Sequence, residues 1–438
     1  MKKRCRAFRL GYHLVAALVL TAFNAAPGMG TGLEGQTVTE EALSLKLLVS
    51  EAVAKNPEIN ALRELEAAKA AFVPQVYSLP DPIVSYSLRN VGTDRITVGE
   101  EMMAGRTLSL FQKVPFPGKL GLKKDAARWD EAASSHLTEE RSLSVVAAVK
   151  MAYYDLYFTY EAIDVINEIE GILGMFLKTA EARYKVGKGI QQDVLKAQVE
   201  LSRLHEQKVL LEERKAVLKD LLNKLVGREP DSPLGRPLEI ALSPLPETPA
   251  ELEKIAQQKS PTLQLQDALA AREESSLSLA KKEYFPDISL SMAWMERGLL
   301  EDIWEVRLGL EIPLYFWSKE MKGVEEAESR YMKAKYEVED VRLTILRKVR
   351  DLYVELDTSE RLHNLYANTI VPQAKLALES SRRGYETGEV DFLTLFDNLV
   401  VLLNYKLEAI AQLVRHENKL AELESIIGEE LSYNETEE

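Results

Sequence analysis

The second half of this sequence repeats the pattern of the first, and that repeat restricts the fold more than any other feature. Gly187 and Gly227 stand 40 residues apart, and so do Gly388 and Gly428. The first spacing opens on Arg183-Tyr184-Lys185-Val186-Gly187, the second on Arg383-Gly384-Tyr385-Glu386-Thr387-Gly388. Each therefore carries Tyr-x-x-Gly, 201 residues apart. Upstream, Val149 and Tyr153 match Val349 and Tyr353 at an offset of 200, and Pro115 matches Pro313 at 198. Asn56-Pro57 matches Ser260-Pro261 at 204. Several pairs in one order at nearly constant offset indicate duplication of one supersecondary unit.

Each unit reads as a helix after the proline (57–71 and 261–283), a strand, a loop and a second strand ending at Pro115 or Pro313. A very long helix follows, then the Tyr-x-x-Gly turn, then a return helix. Glycine after a periodic run is a usual helix stop, which ends the return helices at Gly227 and Gly428. The first helix of the first unit reads shorter than its counterpart by about two turns. These boundaries give a first repeat over 43–227 and a second over 251–428. Between them, 228–250 holds six prolines and reads as a non-helical connector; 429–438 is a short acidic tail.

Residues 1–32 have the anatomy of a signal peptide. Lys2-Lys3-Arg4 supply the positive start, 14–23 an apolar run, and Ala25, Ala26 and Gly28 the small residues beyond it. A membrane anchor is the alternative, but the run is shorter than the roughly 20 apolar residues of a spanning helix. Cys5 is the only cysteine and precedes the apolar run. It therefore cannot be the acylated cysteine of a lipoprotein, and the mature chain has no thiol for a disulfide or a cysteine metal site. The formal net charge is −14 with no basic stripe, which argues against nucleic-acid binding.

Four segments alternate with period two. In 83–89, Val84, Tyr86 and Leu88 oppose Ser85, Ser87 and Arg89. In 106–114, Leu108, Leu110 and Val114 oppose Thr107 and Ser109. In 288–295, Ile288, Leu290, Met292 and Trp294 oppose Ser289, Ser291 and Ala293. In 303–312, Val306, Leu308, Leu310 and Ile312 oppose Arg307, Gly309 and Glu311. Their length is close to the roughly 9–11 residues that cross a bilayer when tilted. Trp294, Trp304 and Tyr315-Phe316-Trp317 cluster at strand ends, as in an interfacial belt. Two ordinary hairpins packed on helices would show the same alternation. Four strands cannot close a membrane barrel, which starts at about eight, so a membrane reading demands an oligomer.

From 119 to 183 no proline interrupts a helical pattern, a reach of about 95 Å. The counterpart runs over 319–371, with Pro372 where a kink is expected. Val194-Ala197-Leu201-Leu204 and Leu399-Leu403-Leu407-Ile410-Val414 form apolar stripes at three- and four-residue spacing, which a soluble coiled coil would also have. No phosphate loop, nucleophile motif or His-centred constellation stands out, so no catalytic, cofactor or metal residue is assigned and no enzyme is expected.

Together the duplicated unit, Tyr-x-x-Gly, and the terminal Leu-x-x-x-x-Gly at Leu222/Gly227 and Leu423/Gly428 resemble the TolC family of outer-membrane channel proteins. The likeness runs over nearly the whole mature chain. It implies a mainly α fold with a membrane β-barrel part and four strands per chain. Three chains would form a homotrimer with one twelve-stranded barrel in outer-membrane lipid and a tunnel of helices below it. The function implied is the passive outer-membrane channel of a tripartite efflux or type I secretion system, opened by a periplasmic adaptor protein and an inner-membrane pump. A periplasmic coiled-coil adaptor or scaffold without a pore is the alternative; two hairpins and little other β-sequence disfavour it.

The resemblance puts the two Tyr-x-x-Gly turns at the periplasmic tip. Arg183, Tyr184, Gly187, Arg383 and Gly388 would meet the adaptor. Tyr385 takes the place of the gate tyrosine, Thr394 that of one pore acid and Asp397 that of the second. The arginine expected two residues after Gly388 is Val390, so the family's closing bonds are not reproduced. Glu389 and Asp391 offer acids for a different ring, and Gln192 and Asp193 occupy the facing positions of the first unit. Solvated helix ends would carry the same charges. Gln112-Lys113-Val114-Pro115-Phe116-Pro117-Gly118-Lys119 and Asp81-Pro82 resemble the heavy-metal-efflux branch, although five His and ten Met form no ligand cluster.

Overall fold

The computed structural model describes residues 42–90, 98, 102–244 and 248–431. The signal-peptide segment, Cys5 and most of the acidic tail lie outside the described residues. In chain order the elements are α1 (Leu45–Lys55), α2 (Pro57–Tyr77), β1 (Ile83–Arg89), β2 (Gly105–Val114), α3 (Lys119–Lys185) and α4 (Gln191–Val226). Then come α5 (Pro249–Lys259), α6 (Pro261–Lys282), β3 (Asp287–Arg297), β4 (Leu300–Glu311), α7 (Glu320–Leu365), α8 (Val371–Thr387) and α9 (Phe392–Ile427). The same order of elements occurs twice. The fold is mostly helical, with one small antiparallel sheet.

Local chemistry sets the helix ends. Asn56 caps α2, its side chain accepting from the backbone N–H groups of Glu58 (2.9 Å) and Ile59 (3.3 Å), with Pro57 at the first helical position. At the far ends of α4 and α9, Gly227 and Gly428 adopt left-handed backbone, φ 74° and 78°. Each also abuts a neighbouring helix end. A Cβ on Gly227 would sit 2.8 Å from the Lys55 carbonyl oxygen, and one on Gly428 would collide with that of Lys259. Glycine is thus required twice over, by conformation and by space.

The first helix of the first unit is shorter than its counterpart by one residue, not by two turns. α2 has 21 residues and α6 has 22, because α2 runs through Pro74 for one more turn. So late in a helix, proline disturbs only the last turn. Packing along α3 holds that turn in place, and Lys124 Nζ lies 4.8 Å from the Tyr77 ring centre.

The strands form a single sheet, β1-β2-β3-β4, rather than two separate hairpins. The β2–β3 pairing joins the two repeats. Its register places residues of one kind in rows: Val84, Leu110, Met292 and Val306 in one, and Tyr86, Leu108, Trp294 and Trp304 in the next. The middle rows of one face are therefore apolar from edge to edge, and they are bare: Leu308 is 71% exposed and Val306 68%. The opposite face carries Ser85, Ser109, Ala293 and Glu305 in one row, with Ser85 and Ser109 hydroxyls 2.7 Å apart. Lys113 pairs with Glu311 and Asp287 on that face. The outer edges of β1 and β4 have no partner strand among the described residues. Among the described residues, no helix is long and apolar enough to cross a membrane.

α3 is a single helix of 67 residues, about 100 Å long. Its counterpart is divided into α7 of 46 residues, a π-helical turn over Tyr366–Ile370, and α8 of 17. Pro372 follows the turn. The wider turn, in which the Val371 N–H reaches the Tyr366 carbonyl, moves the preceding backbone away from the pyrrolidine ring, so the chain continues without a break.

Three apolar clusters hold the helices. One joins α1, α3 and α4 around Leu48, Tyr153, Leu156 and Leu222. One lies between α5, α7 and α9 around Leu252, Leu356 and Leu423. The third sits at the far end of the bundle, around Leu173, Phe176, Leu204, Phe392 and Leu399. The start of the proline-rich connector is fixed, not loose. Asn223 Nδ2 donates to the carbonyls of Pro230 (2.7 Å) and Ser232 (2.8 Å). The Tyr153 hydroxyl donates to Leu43 O (3.0 Å) and accepts from Leu238 N–H (2.9 Å), tying the start of the first repeat to the connector.

Candidate functional site

The two Tyr-x-x-Gly turns lie side by side at one end of the bundle and are built alike. In the first, the Gly187 N–H donates to Tyr184 O (3.0 Å) and the Lys188 N–H to Arg183 O (2.8 Å). In the second, the Gly388 N–H donates to Tyr385 O (3.2 Å) and the Glu389 N–H to Gly384 O (2.8 Å). This paired closure satisfies the last carbonyls of each descending helix. It needs left-handed backbone at the glycine, and φ is 70° at Gly187 and 87° at Gly388.

The turns differ where they touch. The Arg183 guanidinium lies 4.7 Å from the Tyr385 ring centre and donates to the Tyr385 carbonyl. Tyr385 is buried, edge-on to Phe392 with ring centres 5.8 Å apart. Phe392 stacks towards Phe396, and Lys196 Nζ sits 4.8 Å from the Phe396 ring centre. By contrast Tyr184, the counterpart of Tyr385, is 47% exposed.

Two acids approach this cluster. Asp391 is the N-cap of α9; its carboxylate accepts from the Thr394 N–H (3.0 Å), and hydrogen bonds from Thr394 hold it below the usual carboxylate range. Asp193 is half-buried. Burial pushes its carboxyl up, the Asp391 charge adds to the rise, and Arg183 opposes both. The Tyr385 hydroxyl is likewise pushed up, first by burial and then by the Asp193 charge.

Of the residues singled out from the sequence, the fold brings Arg183, Tyr385, Asp193 and Asp391 into one cluster. Gln192, Glu389, Thr394 and Asp397 are exposed, and of these Thr394 touches the cluster through its hydrogen bonds to Asp391. Gln192 lines a shallow groove with Leu195, Lys196 and Val199. Glu389 lines another with Leu376, Glu379 and Arg383, and Arg383 donates to Glu379 (3.1 Å). Sequence reading missed Lys196, Phe392 and Phe396, whose aromatic spacing of four along α9 was the available signal. Among the described residues, no group of three or more His, Cys, Asp or Glu is placed to hold a metal ion.

Comparison with known proteins agrees with the duplicated architecture. The model of the outer membrane efflux protein family matches residues 48–228 and again 252–429, one match per repeat. The outer membrane protein TolC of Vibrio cholerae is 21% identical over 61% of this chain, and the chain spans 63% of that relative's length. The cobalt-zinc-cadmium resistance protein CzcC of Cupriavidus metallidurans is 22% identical over 88% of this chain and 90% of its own. The crystal structure of the outer membrane protein VceC from Vibrio cholerae superposes with a TM-score of 0.75 at 17% identity, covering 89% of this chain and 97% of that one. The fold is that of VceC, and the chain belongs to the outer membrane efflux protein family.

Proposed function

We propose that three copies of this chain form the outer-membrane channel of a tripartite efflux system. In this reading a barrel of twelve strands stands in the outer membrane and the helices form a periplasmic conduit. The observation that carries it is the four-stranded sheet: apolar and bare on one face, polar on the other, and open at both edges. An exposed apolar face of this extent is stable only against lipid or another protein. Open edges of amphipathic strands are satisfied by the edges of identical neighbours, and repeated head-to-tail contact closes into a ring. The channel itself is passive; an inner-membrane pump supplies the energy and an adaptor protein docks at the tip turns. At the tip, Arg183 on Tyr385 holds the two turns against each other, with the acids Asp193 and Asp391 beside the contact, and separating the turns opens the passage. The likeness to CzcC and the Lys113-to-Lys119 segment favour a metal cation as cargo.

The test is to express the chain with its export segment, fractionate the cells and reconstitute the purified protein in planar bilayers. Recovery from the outer membrane as an SDS-resistant trimer with single-channel conductance is expected. A soluble monomer without conductance would overturn the reading and favour a scaffold.

A further inference from the structure

The two tip turns are the same structure with the charges reversed. At the constant offset of 201, Lys178 corresponds to Glu379, Lys185 to Glu386, Lys188 to Glu389 and Lys196 to Asp397. Glu181 corresponds to Arg382, an inversion in the opposite sense. Five equivalent positions within one short stretch thus change sign. The backbone of the two turns closes with the same hydrogen bonds, so these positions are structurally equivalent as well.

The reversal is not used up by pairing between the turns. Arg382 binds Glu379 (2.8 Å) and Glu386 (2.6 Å), which are on its own helix. Lys185 and Lys188 are exposed and make no ion pair among the described residues. What joins the turns is Arg183 on Tyr385, neither of which belongs to the reversed set, and Lys196 on Phe396, the one reversed charge engaged across them. The exposed members, Lys178, Lys185 and Lys188 on the first unit and Glu386, Glu389 and Asp397 on the second, therefore face solvent, beside exposed apolar side chains suited to a helix: Val186 and Ile190 on the first turn and Leu393 next to the second.

In a trimer the six turns would alternate in sign around the rim. Shape alone gives six nearly equal seats; charge divides them into three and three. We propose that this reversal is a register key: the first turn seats an acidic helical hairpin surface of the periplasmic partner, and the second turn seats a basic one. A partner ring then docks in three rotational settings instead of six. This inference rests on the trimeric reading above. Complementary charge selects among otherwise similar seats and excludes the wrong one by repulsion.

The test uses the purified full-length trimer and two designed helical hairpins of identical shape, one with glutamates and one with lysines at its tip. At low salt each hairpin is expected to saturate at three per trimer, and the mixture at six. Lys185→Glu with Lys188→Glu should weaken the glutamate hairpin about tenfold, the order expected when two surface contacts turn repulsive, and leave the lysine hairpin in place on the second turn. Glu386→Lys with Glu389→Lys should do the reverse. The fourfold exchange, which keeps the net charge, should restore both affinities with the seats interchanged, an outcome that a merely structural role for these side chains does not give. Either hairpin saturating at six on the wild-type trimer, both responding to the same pair, or neither binding would overturn the proposal. Conductance of every variant is recorded in parallel. A wild-type chain that forms no conducting trimer overturns the functional reading, and this proposal with it; a conducting trimer without the paired response overturns this proposal alone.

Discussion

Positions six residues apart across each tip turn face one another, and in both turns one of them is glycine. The first turn pairs Arg183 with Gly189; the second pairs Gly384 with Val390. A Cβ on Gly384 would lie 2.6 Å from Val390 Cγ2, and one on Gly189 would lie 3.2 Å from Arg183 Cβ. Size is conserved across the pair while its order is exchanged. Gly384→Ala improves helix propensity, yet it should loosen the second turn by about 1–2 kcal/mol through overpacking. Faster amide exchange at residues 384–392 would report this, and adding Val390→Gly should restore protection. A second residue-scale test concerns Lys150, buried on α3 and bonded to Glu424 (2.7 Å). Burial pushes the Glu424 carboxyl up, and Lys150 pulls it back. Lys150→Met should cost about 3–5 kcal/mol near neutral pH by leaving a buried charge unmatched. An acid whose folded pKa is raised destabilises the fold as pH rises through the window between its unfolded and folded values. The variant should therefore recover in thermal denaturation as pH falls, and Lys150→Met with Glu424→Leu should be stable throughout. Neither pair was legible in the sequence, because each depends on contacts between segments that local pattern does not connect.

At the scale of elements, the π-helical turn has a sequence counterpart. The offset between the repeats is 200 at Tyr153 and Tyr353 but 201 at Tyr184 and Tyr385, so the second unit holds one extra residue between them. The turn over Tyr366–Ile370 lies in that interval, and a π turn is how a helix absorbs one inserted residue. Pro372 marks the place in the sequence, but as a proline it announced a kink and not an insertion. Deleting Asn368 together with Pro372→Ala should leave a continuous helix with Ala374, Leu378 and Tyr385 still facing the core. Deleting Ala377 instead should turn the rest of α8 by about 100° and expose Tyr385. Circular dichroism and trypsin sensitivity at the tip distinguish the two: the first variant should behave as wild type, the second should be cleaved. The strands were legible because alternation with period two is a local property. The extra turn of α2 was not, because its packing on α3 outweighs the stop that Pro74 signals.

The whole molecule could be read in outline. Duplication, strand count and helix length pointed to one fold family, and the family match to each half agrees with that. The pairing of β2 with β3, which merges the two hairpins into one sheet, could not be read, since the partners Leu108 and Trp294 lie far apart in sequence and nothing local selects them. The open edges belong to this scale too. If residues 1–32 are cleaved as a signal peptide, Cys5 leaves with them, and cysteines introduced at Ser85 on β1 and in turn at Glu305 or Arg307 on β4 would be the only thiols of the mature chain. At least one combination should give a covalent trimer on a non-reducing gel, and monomers in every combination would place the edges apart.

Those two unfinished edges also have a genetic side. A chain that keeps its strands but carries a ruined tip would still enter the ring and spoil it for its neighbours. If the ring is the proposed trimer, then in a cell making sound and defective copies in equal amount only about one assembly in eight would be free of a bad one. Tip lesions should therefore be dominant, whereas lesions that abolish the sheet should be recessive.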